Sequence, residues 1–306
     1  EKVFYSDNGS TAVEVALKMC IQYAYNQEKK KTKILAFKNA YHGDTFGAMS
    51  VSGKSFWTRP FESMLFEVVF IDTPNSENLD SLQSQIKEHA DEVACFIYEP
   101  LVQGAAGMLM YKAEDLSQLM KYCREEGVLM IQDEVFTGFG RTGKFWAFEH
   151  FGIVPDILVC AKGMGGGMPI GAFIANQKVM SVFKDNPILG HITTFGGHPV
   201  SAAASLATIN LIRDEKLYES VPEKAALFRS LLVHPKIKEV RNQGLMMAVE
   251  FADFDELKGI IDRAIEKGLL TDWFLFCDNS MRIAPPLIIT EEQIRTACEI
   301  ILACIE

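Results

Sequence analysis

From Thr11 to Tyr25 the apolar residues Val13, Ala16, Leu17, Cys20, Ile21 and Ala24 recur at helical spacing, so a helix is expected to start just after Gly9-Ser10. Short apolar runs alternate with further stretches of this kind. Lys2 to Tyr5, Ile34–Phe37, Val68–Ile71, Ala94–Tyr98, Val128–Ile131 and Ile157–Cys160 read as strands, with helices near 79–90 and 113–126 between some of them. Apolar strands that alternate with helices imply an α/β fold, a mostly parallel sheet with helices on both faces. Phe173-Ile174-Ala175 follows a glycine-rich turn and reads as an antiparallel member. Pro199 to Ile212 reads as a long alanine-rich helix. Beyond Lys216 the pattern changes to helix 222–232, strands near Lys238–Val240 and Leu245–Phe251, helix 254–267, strand 281–284 and helix 291–305. The expected organisation is a large unit over 1–215 and a smaller C-terminal α+β unit over 216–306.

Composition narrows the classes. Of 306 residues 48% are hydrophobic and 23% charged, the balance of a water-soluble globular chain. Thirty basic residues against forty acidic ones give a net charge of −10, which argues against a partner held by its phosphate backbone, such as a nucleic acid. The longest uncharged run, 186–212, holds two prolines, three glycines and two histidines and is too broken to span a bilayer. Seven cysteines, with no C-x-x-C pair among them, suggest reduced thiols in a cytoplasmic protein rather than a metal or redox site. The chain opens on Glu1 and enters a strand at once, so a segment upstream is expected.

Three glycine-containing turns follow expected strands. Gly138–Gly143 fits G-x-G-x-x-G and, with Lys144, all of the P-loop pattern but its final hydroxyl residue. No helix start follows it, and Asp133-Glu134 just before would repel a pyrophosphate. Gly163–Gly167 fits neither pattern. The turn Asp7-Asn8-Gly9-Ser10-Thr11 feeds a helix N-terminus, where free amides and the helix dipole suit a phosphate; an ordinary N-cap by Ser10 or Asn8 explains it equally in kind. Asp133 and Glu134 end one strand, and Lys162, among small neighbours, ends the next, where open sheets place their ligands. Burial there would lower the lysine pKa toward that of a nucleophilic amine. A lysine, a carboxylate, a phosphate cradle and a flat group at Tyr41-His42-Gly43 match the needs of pyridoxal phosphate, which takes a lysine linkage, an acid at the ring nitrogen and a stacking partner.

The strings FYSDNGSTAVEVALKM (4–19), AYHGDTFGAMSV (40–51), EPLVQGAAGM (99–108), DEVFTGFGRTG (133–143), AKGMGGGMPIG (161–171), HITTFGGHPVSAAA (191–204) and RIAPPL (282–287) resemble the class III, fold-type I, pyridoxal-phosphate-dependent aminotransferases. The resemblance implies a seven-stranded-type cofactor domain and a homodimer with active sites at its interface. It implies that Lys162 carries the internal aldimine, Asp133 pairs with the ring nitrogen, Tyr41 stacks on one ring face with His42 beside it, and Val135 packs on the other. It further implies that Gly9, Ser10 and Thr11 hold the phosphate and that Thr194 reaches the phosphate of the neighbouring subunit. Arg141 would line or brace the site, and Arg282 would meet a substrate carboxylate. Many relatives carry Glu where Ala105 stands and Gln where Phe136 stands. These departures look like the biotin-pathway branch, the adenosylmethionine–8-amino-7-oxononanoate aminotransferases, which take their amino group from S-adenosylmethionine. GMGGGMPIGAFIA and the 191–204 string look more like the acetylornithine and ω-amino-acid branch. An inactive fragment lacking part of the substrate pocket is the non-enzymatic alternative.

Overall fold

The computed structural model describes residues 1–185 and 187–305. Thirteen strands occur among them: β1 (Lys2–Ser6), β2 (Lys33–Phe37), β3 (Val69–Ile71), β4 (Val93–Tyr98), β5 (Val102–Gln103), β6 (Leu109–Met110), β7 (Leu129–Asp133), β8 (Ile157–Cys160), β9 (Gly171–Ala175), β10 (Glu239–Gln243), β11 (Met246–Glu250), β12 (Asp272–Phe274) and β13 (Cys277–Ile283). Seven of these form one sheet in the order β1-β9-β8-β7-β4-β2-β3. The five strands from β8 to β3 are mutually parallel, and β9 runs against both β8 and β1. Phe173 thus lies on the antiparallel strand expected of it. All six residues of β4 are buried, as are all four of β8, because helices cover both faces and no face is left to water.

Helix α1 (Gly9–Asn26) packs on β8, β9 and β4, burying Ala12, Val13, Ala16, Leu17, Met19 and Cys20. The other face is covered by α3 (Leu79–His89) and α4 (Ala113–Glu125), after the single turn α2 (Phe46–Ser50); Leu82, Ile86, Leu116, Leu119 and Met120 meet Phe37, Phe96 and Tyr98 there. Burying each of these large side chains contributes roughly 1.5–3 kcal/mol. A short helix α5 (Gln177–Ser181) follows β9, and α6 (Pro199–Asp214) then crosses to the C-terminal part, with Pro199 at its first position. There β10-β11-β13-β12 form an antiparallel sheet covered by α7 (Val221–Leu231), α8 (Phe254–Glu266) and α9 (Glu291–Leu302), with a separate core around Phe228, Met247, Ile260 and Ile294. Strand β12 and the β5-β6 ribbon were not evident from the sequence pattern. Each is only two or three residues long, and β12 begins with the exposed Asp272. No helix of the described residues is long and apolar enough to cross a membrane.

Candidate active site

A cavity of about 430 Å³ opens where the parallel strands end. It is of the size that small-molecule sites commonly have. Each wall comes from the loop just past a strand: Asp7 to Ser10 after β1, Tyr41 to Gly43 after β2, Glu99 after β4, Val135 to Thr137 after β7, Ala161 and Lys162 after β8. Leu275 and Arg282 close it from the C-terminal sheet.

Asn8 is the N-cap of α1. Its Oδ1 accepts the Thr11 N–H at 3.0 Å, and its own N–H donates to Thr11 Oγ1 at 3.2 Å. The Thr11 hydroxyl also takes a bond from Ser6 at 2.6 Å. Thr11 is therefore committed to the cap and lines no part of the cavity, unlike Gly9 and Ser10. Among the described residues the amides of Gly9 and Ser10 have no acceptor, which leaves two donors at the positive end of the helix dipole. Gly43 lies over Ser10 at φ +127°, and a Cβ there would be 2.0 Å from Ser10 Oγ, so only glycine fits this approach.

Asp133, the last residue of β7, is 5% exposed. Its Oδ1 accepts the Val135 N–H at 2.9 Å and its Oδ2 faces His42 Nδ1 at 2.7 Å. Two of a carboxylate's roughly four lone-pair sites remain for another donor. His42 thus lines the cavity and also fixes Asp133, its own N–H held by Ser52 Oγ at 2.9 Å. The sequence separation of the pair hid this arrangement; a histidine beside Tyr41 was the only signal.

Lys162 begins a single 3-10 turn at φ +45°, a left-handed conformation that costs a lysine about 1–2 kcal/mol. Its side chain is open to the cavity yet walled in by protein, and that burial lowers its pKa, while Asp133 and Glu99 raise it and Arg282 and Arg141 lower it further. Tyr41 donates its hydroxyl to Asp44 at 2.7 Å, and burial and that carboxylate push its pKa above the usual range.

Glu99 was visible in the sequence only as part of a family string, although an acid after a wholly apolar strand is the same signal that marks Asp133. Its Oε1 accepts the Tyr41 N–H at 3.0 Å and its Oε2 the Gly104 N–H at 2.9 Å, tying the tyrosine loop to the loop that carries Ala105. Burial pushes its pKa up to about 7, with Asp133 adding and His42 opposing. Arg141 does not line the cavity. It donates to the Pro285 carbonyl and its own carbonyl accepts the Leu245 N–H at 3.0 Å, so it braces the C-terminal part; burial brings its pKa down to about 10. Arg282 does line the cavity, its only ion pair among the described residues being a half-exposed one to Asp272 at 3.7 Å. Thr194 lies on an exposed stretch away from the cavity of its own chain.

Glu134, fully buried beside Asp133, pairs with no cation among the described residues. It accepts from Gln132 Nε2 and Thr137 Oγ1, each at 2.6 Å, and from the Phe148 N–H at 3.2 Å, and burial raises its pKa to about 7. A carboxyl raised on folding binds its proton more tightly in the native state, so stability falls as pH rises from about 4.5 to about 7. Glu134→Gln keeps the shape and removes the charge. It is expected to be more stable than the parent above pH 7, by up to about 3 kcal/mol, with the gap closing near pH 4.5, as urea unfolding at several pH values would show.

The arrangement brings together an amine of lowered pKa, a buried acid fixed by a histidine and an anion cradle. Pyridoxal phosphate fits these residues. Besides the two free amides, His42 Nε2 and Asp7 Oδ1 are buried in the cavity wall without partners. Gly9 and Ser10 would hold the phosphate, Asp133 the ring nitrogen and Lys162 the aldehyde carbon.

Comparison with known proteins gives a concordant set. The profile of the family described as aminotransferase class-III matches residues 1–305. An acetylornithine aminotransferase of Caldanaerobacter subterraneus is 37% identical over 98% of this chain and 74% of its own. The crystal structure of an adenosylmethionine-8-amino-7-oxononanoate aminotransferase from Methanocaldococcus jannaschii superposes with a TM-score of 0.93 at 32% identity, over 99% of this chain and 75% of that one. An amine transaminase of an uncultivated Pseudomonas species, solved in its PLP-bound form, superposes at 0.90 with 30% identity, over 99% and 77%.

Proposed function

The chain belongs to the class III aminotransferases, which are pyridoxal-phosphate-dependent, and from that premise we propose that it moves an amino group from a donor amine to a ketone or aldehyde by a ping-pong cycle. The observation that carries this reading is the meeting of Lys162, Asp133 and the open N-terminus of α1 in one cavity. When bound, the cofactor supplies an electron sink. Lys162 Nζ would hold it and would move a proton at the substrate carbon. Asp133, oriented by His42, would hold the ring nitrogen. Tyr41 and Val135 line the cavity and would wall the ring, and Gly9 and Ser10 would bind its phosphate. The same reading takes 1–215 as the cofactor-binding unit and 216–306 as the C-terminal one, a division supported by their separate cores.

For the substrates we favour S-adenosylmethionine as donor and 8-amino-7-oxononanoate as acceptor, giving 7,8-diaminononanoate in the biotin pathway. Ala105 supports this, because no carboxylate at 105 competes for Arg282, which is left for a substrate carboxylate, a task for which a planar guanidinium is suited. Arg282→Ala is expected to raise KM for carboxylate substrates about 10- to 100-fold with a smaller change in kcat. Steady-state kinetics on an acid and its neutral amide check this. The acetylornithine or ω-amino-acid activity is the second reading, favoured by the 37% identity to an acetylornithine aminotransferase. A donor screen over S-adenosylmethionine, lysine, ornithine, 4-aminobutyrate and glutamate separates the two, and a chain that binds cofactor but accepts none of them speaks for an inactive fragment.

We also infer a cytoplasmic homodimer. Its support is the stretch around Thr194, where Ile192 is 93% and Phe195 67% exposed, apolar surface that a second copy would cover while bringing Thr194 to the neighbour's phosphate. All seven cysteines are free, as suits a reducing compartment. A molar mass from light scattering equal to one chain would overturn the dimer.

A further inference from the structure

Phe136 stands in the turn after β7, and its ring centroid is 4.7 Å from Lys162 Nζ, within the distance at which a ring face attracts an ammonium. Among the described residues no hydrogen bond or ion pair holds that nitrogen. The ring has little room on the side of Gly104. A Cβ on Gly104 would be 2.6 Å from Phe136 Cδ1, and the ring packs on the cluster of Val102, Met108, Met246, Ala248 and Phe274. Its backbone is fixed as well: the Val135 N–H bonds Asp133 Oδ1, the Thr137 hydroxyl bonds Glu134 Oε2 at 2.6 Å, and the Gly138 N–H bonds the Glu134 carbonyl at 3.0 Å. The ring is thus packed on the protein and its turn is hydrogen-bonded on both sides of it.

We propose that the face of Phe136 is the seat of the Lys162 ammonium, a positioning residue that holds the amine against the cavity wall whenever the lysine is not bonded to the cofactor. The groups around the amine explain why such a seat is useful. Asp133 and Glu99 draw the charged form from two sides, Arg282 and Arg141 oppose it from the C-terminal sheet and the turn after β7, and burial opposes it throughout. Asp133 and Glu99 are both engaged elsewhere, with His42, Val135, Tyr41 and Gly104. The ring therefore steadies the ammonium without a carboxylate that would immobilise it, and the lysine stays free to leave. A glutamine at 136 would offer no such face.

The inference rests on Lys162 being the reacting amine, but its test reads the cofactor-free chain, so it can fail while the activity stands. Lysines are tagged by reductive methylation with labelled formaldehyde, and the Lys162 signal, assigned by its loss in Lys162→Arg, is titrated by NMR. Placing mono-, di- and trifluorophenylalanine at 136 weakens the ring face at nearly constant shape. The Lys162 pKa is expected to fall stepwise, by about one unit over the series. Phe136→Leu should lower it similarly and Phe136→Tyr should not. A flat series, or equal values in the Leu and Tyr variants, overturns the proposal.

Discussion

Lys162→Ala is expected to lower kcat by about 10⁴-fold or more and to abolish the absorbance near the visible edge that a lysine-linked cofactor gives. Two losses combine in this variant. Without Nζ there is no covalent tether, and no other amine in the cavity can carry the substrate proton, the other cations in reach of Lys162 being the guanidiniums of Arg282 and Arg141. Arg141 is turned to the Pro285 carbonyl and cannot substitute. The fold should survive, because alanine bears the left-handed φ no worse than lysine and the Lys162 side chain makes no hydrogen bond among the described residues. A variant with full turnover would sink the assignment of Lys162, whatever the cofactor content.

Asp133→Asn should have the next largest effect, about 10³-fold in kcat with cofactor retained. The amide can still accept from the Val135 N–H, and His42, buried 2.7 Å away, can present its other tautomer to the new NH₂ group, so the turn and ring orientation persist. What disappears is the negative charge at the end of β7, in a place where low exposure makes it count for more than it would in water. Measured cofactor content separates this from simple loss of binding. Parent-like kcat at full occupancy would show that Asp133 does not act on the ring.

The parts of this molecule that the chain announces locally are those whose burial is uniform. Ala94–Tyr98 and Ile157–Cys160 read as strands because both faces of each are covered and every position is apolar up to the approach to Glu99 and Lys162. Asp133 and Lys162 stood out for the same reason, as polar residues where an apolar run stops. Features made by distant residues were not visible. The hold of His42 on Asp133 and of Glu99 on Tyr41 needs β2, β4 and β7 side by side, which no local pattern encodes. Thr11 shows what a local string leaves out: its place at a helix start suggested a phosphate contact, and the structure adds the hydrogen bonds of its hydroxyl with Asn8 at the cap. Strand β12 escaped because Asp272-Trp273-Phe274 is too short to establish an alternation, and its pairing with β13 comes from the tertiary context.

The position of β1 has a consequence for how the molecule is assembled. Among the described residues its one neighbour in the sheet is β9, the last of the seven strands in chain order, with Lys2 opposite Ala175 and Ser6 opposite Gly171. The turn with the open amides of Gly9 and Ser10 is thus carried by the first of the sheet's seven described strands in chain order and anchored by the last. While β2 to β4 collapse on α3 and α4, the β1 edge must wait for the rest of the sheet, a long-range closure of the kind that slows folding. Cofactor capture should therefore be the final event of folding and a direct clock for it, since a chain that has yet to place β9 has the aromatic and acidic walls of the site but no anion cradle.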